Sequence, residues 1–347
     1  MTQAAMSRVY DTTIVGAGIC GLLAAGQLLD HGASVIVLDK GRSVGGRLAT
    51  RRLGAGRADH GAQFFTVRTA RFQQFVNRWL EQNLVFRWST GWSDGSLAAE
   101  ALGDGHPRYA VRDGMNALPK HLAAEHIGRG AEIVTGVRVA SVAQADGTWV
   151  VRADDGRAWS SSSLILTPPA PQSLNLLKAG GLELASHERR ALEAIAYAPC
   201  LCAMLVVNGA VCLPAPGGVQ RPHADIAWIA DNQRKGISPE VAVLTLHGSP
   251  DWSVAHYDNS DGELISAFCA ALKPWLKSQA PGSNLLLAAE VKRWRYALPT
   301  ILHPDPYLRA AGLPPLYLGG DGFGSPRIEG AALSGLAIAD ALLAELA

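Results

Sequence analysis

Three groups of residues in this chain have types and spacings that could hold an anionic, planar ligand. The first is Gly16-Ala17-Gly18-Ile19-Cys20-Gly21, followed by an acid, Asp39. Gly16 permits a tight turn, Gly18 lets backbone approach a pyrophosphate, and Gly21 lets a helix pack closely on a strand, so that N–H groups at the helix start aim at the anion. Asp39 stands where a carboxylate can accept a ribose hydroxyl. The second group is Lys40 to Arg52, KGRSVGGRLATRR, in which Gly45-Gly46 allow another close backbone approach and Arg47 can neutralise phosphate charge through paired hydrogen bonds. The third lies near the C-terminus, Gly319-Gly320-Asp321-Gly322-Phe323-Gly324 and then Ile328-Glu329-Gly330-Ala331-Ala332-Leu333-Ser334-Gly335. An acid beside glycines at a strand end, ahead of a glycine-opened helix, makes a second polar-ligand site built like the first. A nicotinamide dinucleotide alone would not need it.

The elements around the first group have the order of a Rossmann-type unit. Ile14 and Val15 form a short buried strand. Ile19, Leu22, Leu23 and Gly26 line one face of a helix that Gly32 ends, and Val35 to Leu38 form the next parallel strand. That order predicts an adenine dinucleotide site. The first nine residues read as a loose tail. From Arg71 an amphipathic helix (Phe72, Phe75, Val76, Trp79, Leu80) precedes a Gly-, Ser- and Trp-rich stretch with Trp88 and Trp92, an excursion into another domain. Tyr109 to Leu122 returns through an Asp-Gly turn into a helix. Ala131 to Val142 gives a strand, Asp146-Gly147 a hairpin turn, and Leu164 to Leu166 a buried strand whose stop at Thr167-Pro168-Pro169 marks a second departure.

Beyond it, strands at Leu201 to Val207, Ile226 to Ala230 and Val241 to His247, with helices near Glu183 to Ile195 and Glu263 to Leu276, suit an antiparallel sheet under helices. Strands at Leu287 to Tyr296 and Leu316 to Leu318 and a last helix form the return leg. The predicted fold class is α/β: a Rossmann-type domain built from both chain ends (residues 8–70, 108–169 and 286–347) with an inserted α+β substrate domain of mainly antiparallel strands (71–107 and 170–285).

Composition narrows the function. Lys plus Arg number 31 against 30 Asp plus Glu, a formal charge of +1, which gives no electrostatic case for nucleic acid or an anionic membrane. The five cysteines lack ligand-like spacing and read as buried and reduced; with scattered histidines and no HExxH, no metal is predicted. No GxSxG elbow points to a serine hydrolase. No run reaches the roughly 18 apolar residues of a membrane span, and no signal peptide opens the chain, so the expectation is a cytoplasmic protein.

The three groups together resemble the FAD-containing amine-oxidase-like flavoproteins, whose pattern of GxGxxG, GG-R loop and GD…EGA…SG falls here at Gly16 to Gly21, Gly45-Gly46-Arg47, and Gly320-Asp321 with Glu329 to Gly335. Asp59-His60-Gly61-Ala62-Gln63-Phe64-Phe65-Thr66, Pro169-Ala170-Pro171-Gln172, His247 after an apolar strand and Lys292-Arg293-Trp294-Arg295-Tyr296 are similar to the renalase-like branch of that group. The resemblance implies non-covalent FAD. Asp321 would bond the ribityl-phosphate arm, Gly330 and Ala331 would aim N–H groups at the flavin N1–C2 edge, and the adenine would lie against Val137 to Val139. Gly16, Gly18, Ile19, Cys20, Gly21, Asp39, Lys40, Gly46, Arg47, Gln63, Phe64, Gly320, Arg327 and Ile328 complete the implied cofactor set.

The resemblance further implies a donor site of Gln63, His247, Trp294, Tyr296 and Arg327, a dihydronicotinamide isomer of NAD(P)H as substrate, and dioxygen as acceptor with hydrogen peroxide as product. Where the wider family commonly has an aromatic two residues before the EGA glutamate, this chain has Arg327, a permanently charged group. It is a poor wall for an amine and a good neighbour for a carboxamide, a phosphate or an anionic flavin. Trp294 and Tyr296 alternate with Arg295 and offer an aromatic face to a flat ring. A flavin amine oxidase or other flavin oxidoreductase, and a non-catalytic FAD-binding protein, are the alternatives.

Overall fold

The computed structural model describes residues 8–95, 102–276 and 286–347. The expected tail lies outside them up to residue 7, and Val9 already belongs to a strand. The first elements are β1 (Val9–Val15), α1 (Ile19–Asp30), β2 (Val35–Asp39), β3 (Thr50–Leu53), β4 (Gly56–Asp59), α2 (Ala70–Glu81), β5 (Val85–Trp92), β6 (Leu102–Val111) and α3 (Ala117–Gly128). Next come β7 (Glu132–Thr135), β8 (Val139–Ala145), β9 (Thr148–Ala153), β10 (Ala158–Leu166), α4 (Ala170–Ala179), α5 (Ser186–Glu193) and β11 (Ala196–Val207). The chain continues through β12 (Gly218–Gln220), β13 (Ile226–Asp231), β14 (Val243–Gly248), α6 (Pro250–Ala255), α7 (Asp261–Leu272), β15 (Leu286–Ile301), β16 (Leu308–Arg309), β17 (Leu316–Leu318) and α8 (Arg327–Leu346).

One compact unit comprises residues 8–46, Pro119–Ala196 and Pro299–Ala347. Its eight-stranded sheet runs β16-β17-β10-β1-β2-β7, with the β8-β9 hairpin joined through β10. From β17 to β7 the strands are parallel. Ile14, Val35 to Leu38, Leu164 to Leu166 and Leu316 to Leu318 are all buried, the continuous apolar runs of a parallel sheet covered on both faces. The strand order changes direction at β1, whose neighbours are β2 and β10, so the crevice at the carboxyl ends there is the ligand-binding position of such a sheet. α8 packs against α1 so closely that a Cβ at Gly335 would meet the Cys20 carbonyl at 2.1 Å.

The other unit comprises Arg47–Leu118 and Tyr197–Leu298. Its five-stranded sheet runs β12-β13-β14-β11-β15, antiparallel from β12 to β11. One face, with Leu201, Ala203, Leu205, Leu244 and Leu246, packs on Trp252, Leu264 and Phe268 of α6 and α7. The opposite face, with Cys202, Met204, Val206 and Val243, packs on Leu53 and Ala58 of the β3-β4 hairpin. Side-chain alternation puts Thr245 and His247 on this second face as well.

The Gly-, Ser- and Trp-rich excursion lies in the second unit, where its described residues include the antiparallel pair β5 with β6, and Trp88, Trp92 and Trp228 bury one another with ring centroids 4.6 and 4.9 Å apart. Other expectations are corrected. Pro168-Pro169 does not mark a departure: α4 follows within the first unit, with Pro171 in its first turn, where the missing N–H has no partner to lose. The chain passes between units at 46/47, 118/119, 196/197 and 298/299. All five cysteines are free, but only Cys20 and Cys202 are buried; Cys212 is exposed, because it follows the exposed turn after β11. No helix of the described residues is long and apolar enough to cross a membrane.

Candidate functional site

In the first unit the carboxyl ends of four parallel strands deliver Asp39, Gly16, Thr167 and Gly319 to one edge. Gly16, at φ 107°, donates its N–H to the Leu38 carbonyl at 2.8 Å, and Thr167 Oγ1 donates to the Val15 carbonyl at 2.9 Å. A Cβ at Gly21 would meet the Gly16 carbonyl at 2.1 Å, so the helix sits directly on its own turn; a Cβ at Gly18 would meet nothing within 4 Å. The Gly45 N–H donates to the Ala17 carbonyl at 2.8 Å, and a Cβ on Gly46 would lie 3.7 Å from the Gly18 Cα, which docks the second glycine loop on the first.

Asp39 braces both turns. Its Oδ2 accepts the Ala17 N–H at 2.7 Å and its Oδ1 the Gly41 N–H at 2.6 Å. Burial pushes this carboxyl up and those two N–H groups hold it back, leaving lone pairs for a hydroxyl donor. Val137 donates to the Asp39 main-chain carbonyl at 2.9 Å, so the segment leading to Val139 leaves from beside the end of β2. Lys40 is exposed, its Nζ 3.2 Å from Gln172 Oε1. Ile19 and Cys20 are buried in the first turn of α1, and burial pushes the Cys20 thiol up to about 12, an inert packing group.

At the other end of the chain, Gly320 takes φ 130° and donates its N–H to Ser334 Oγ at 2.9 Å; Asp321 beside it is buried. Ser334 and Gly335 of the C-terminal pattern thus serve strand and helix packing. Arg327, exposed at the first position of α8, adopts φ 73°, a left-handed conformation that costs a non-glycine residue on the order of 1–2 kcal/mol and is found at functional sites. Ile328, Gly330 and Ala331 are buried behind it, and a Cβ at Gly330 would meet the Ser325 carbonyl at 1.7 Å. Neither α1 nor α8 has a side-chain cap at its N-cap residue, and an uncapped helix start suits an anionic or acceptor-rich ligand. The open space at Gly18, the paired uncapped helix starts and the Asp39 carboxylate fit an adenine dinucleotide.

The other candidate residues lie in the second unit. Gln63 Nε2 donates to the Asp59 carbonyl at 2.7 Å and the Gly61 carbonyl at 3.1 Å, while its Oε1 is buried with no partner among the described residues. Trp294 Nε1 donates to the His60 carbonyl at 2.8 Å, and the two rings stack at 5.4 Å and 17°. His247 bonds the His60 backbone, and its Nε2 has no partner among the described residues. Residues 59–63 therefore gather Gln63, His247 and Trp294. Burial pushes both His60 and His247 down to about 4, so both imidazoles are neutral near pH 7.

The structure gives some residues partners that the sequence did not suggest. Arg47 Nη1 donates to the Tyr296 and Ala297 carbonyls at 3.1 and 3.3 Å, tying down β15. Trp294, predicted to face a flat ligand ring, stacks on His60 and has the Lys292 ammonium over its ring at 4.9 Å. Tyr296 meets Tyr197 edge-on at 5.6 Å. Phe64 joins the tryptophan cluster, 5.0 Å from Trp92 and 5.5 Å from Trp228. Two residues escaped the sequence reading. Thr245 Oγ1 donates to the Asp59 carbonyl at 2.8 Å, and its place two residues before His247 was the available signal. Lys235, whose Nζ is 2.6 Å from Asp59 Oδ2 with both side chains fully buried, gave none.

Residues 14–79 match an NAD(P)-binding Rossmann-like domain, and residues 94–343 match the family described as flavin containing amine oxidoreductase. The chain belongs to that second family, and its cofactor is FAD. Within the family it is renalase-like: it is 26% identical to renalase of Mus musculus over 351 aligned positions, covering 96% of this chain and 98% of that one. Coproporphyrinogen III oxidase of Mycobacterium tuberculosis is 28% identical over 213 positions, 56% of this chain and 43% of its own length. Two solved structures share the fold: a putrescine oxidase bound to putrescine (TM-score 0.69, 15% identity, 97% of this chain and 99% of that one) and an oxidoreductase from Methanosarcina mazei (TM-score 0.64, 15% identity, 95% and 99%).

Proposed function

We propose that the protein is an oxidase of dihydronicotinamide dinucleotides, removing a hydride from an isomer of NAD(P)H and passing the electrons to dioxygen. In this reading the first unit is the FAD-binding domain and the second supplies the donor-recognising residues. Gly16, Gly18, Gly21 and Asp39 hold the adenosine and pyrophosphate, and Asp321 with the start of α8 holds the ribityl arm and ring edge. Bound FAD supplies a two-electron acceptor, so that one dihydronicotinamide, one proton and one dioxygen give one nicotinamide and one hydrogen peroxide.

The observation that carries this reading is that, among the described residues around Gln63, the carboxylate is engaged and the imidazoles are weak bases. The Asp59 carboxylate is held by Lys235, by Thr50 Oγ1 at 2.5 Å and by the Met115 N–H at 2.8 Å. His60 and His247, with conjugate acids near 4, are weak proton acceptors at neutral pH. A dihydronicotinamide expels hydride with its own ring electrons and needs no base, whereas an alcohol or a protonated amine does. The Gln63 Oε1, without a partner among the described residues, suits a carboxamide N–H, and the renalase-like character of nearly the whole chain agrees with the donor that the sequence resemblance implies.

Anaerobic stopped-flow mixing of the FAD-loaded protein with 1,4-, 1,2- and 1,6-dihydronicotinamide dinucleotides and with a panel of amines tests it. Flavin bleaching by the 1,2 or 1,6 isomers, with amines inert, is the expected result. Bleaching by amines alone would make the protein an amine oxidase, and a flavin that no donor reduces would make it a non-catalytic FAD carrier.

A further inference from the structure

We infer that Lys235 is a positioning residue of the donor site, holding residues 59–63 in the one arrangement that leaves the Gln63 side-chain carbonyl open as an acceptor. The identity of the donor rests on the function proposed above; the clamp itself rests on geometry. Lys235 lies in the turn after β13, and its ammonium has three partners. Nζ is 2.6 Å from Asp59 Oδ2, 2.6 Å from the Gln63 backbone carbonyl, and 4.6 Å from the centre of the Trp88 ring. One buried cation thus binds both ends of the segment. The middle is held by the Ala62 N–H, which donates to the Arg47 carbonyl at 2.9 Å, and by Gly61, where a Cβ would meet that same carbonyl at 2.0 Å.

The consequence falls on the Gln63 amide. Its Nε2 finds two backbone carbonyls, those of Asp59 and Gly61, and flipping the amide would turn Oε1 toward both. The orientation is therefore fixed, and the acceptor is left over by construction. A fully buried ion pair of this kind adds little net stability over an apolar pair of equal volume, because desolvation offsets its attraction. What it adds over an apolar pair is a defined geometry, and the geometry it defines here is that of Gln63.

The test compares Asp59→Asn/Lys235→Met, which removes both charges together, with Gln63→Ala and with the triple variant, all as FAD-loaded protein. Amide hydrogen exchange should quicken at least tenfold in residues 59–66 and stay unchanged in the helices of the same unit. The rate of anaerobic flavin reduction should fall at least tenfold with FAD affinity retained, and in the Gln63→Ala background removing the pair should cost less than a further twofold. Lys235→Arg, which keeps the charge but not the compact ammonium, should show the same local loosening and serves if the double variant does not fold. Unchanged exchange in 59–66, or rate effects that multiply in the Gln63→Ala background, would overturn the assignment. A wild-type flavin that no donor reduces would remove the proposed function while the exchange comparison still decides the clamp.

Discussion

Burial, ahead of any neighbouring charge, sets the protonation of His60 and His247. With folded-state values of about 4 against an ordinary 6.5, the unfolded chain binds more protons between those limits. The stability this contributes is complete above about pH 6.5 and is lost as the pH falls toward 4. At about 1.36 kcal/mol per pKa unit, His247 alone accounts for ~3 kcal/mol across the window. Urea midpoints measured from pH 7 to pH 4 should fall steeply, and His247→Gln should flatten the decline; a wild-type midpoint constant over that range would contradict the burial argument. Motif texture made Gln63, His247 and Trp294 candidates, and the structure gathers them at residues 59–63. Lys235 was not, because a lysine in Arg-Lys-Gly reads as solvated, and its burial depends on a partner 176 residues away.

Among the elements, the start of α1 carries the sharpest contrast. Gly18 has φ −77° and ψ −179°, extended backbone open to any residue, and its Cβ would enter open space. Gly18→Ala should leave the apoprotein within ~0.5 kcal/mol of wild type and weaken FAD binding at least tenfold, about 1.4 kcal/mol. Gly21→Ala would drive a methyl into the Gly16 carbonyl and should destabilise the apoprotein itself by about 1–3 kcal/mol. Thermal unfolding without FAD and FAD titration separate the two; equal destabilisation by both would show that Gly18 serves packing rather than the ligand. Strands with continuous apolar runs, and α1 with its glycine turn, were readable because the pattern is local. The β5-β6 pair was not, since glycine, serine and tryptophan disguise strands whose pairing is decided by the partner strand, and Pro168-Pro169 hid α4 by reading as a stop when Pro169 is the N-cap of that helix.

For the whole molecule, the chain ends share one unit: β1, α1 and β2 from one end, β16, β17 and α8 from the other. Matching glycine-and-acid patterns at the two ends made this readable, and the antiparallel sheet of the second unit followed from its strand signals. The crossing points were not readable, because Arg47 to Leu118 joins the second unit through contacts with β13, β14 and β15 that no local pattern announces. The most direct measurement is the flavin content of the purified chain after reconstitution with FAD. One FAD per chain, released on denaturation and largely lost in Asp321→Ala, is the predicted result. A chain that takes up no flavin, or an Asp321→Ala variant as yellow as wild type, would contradict it.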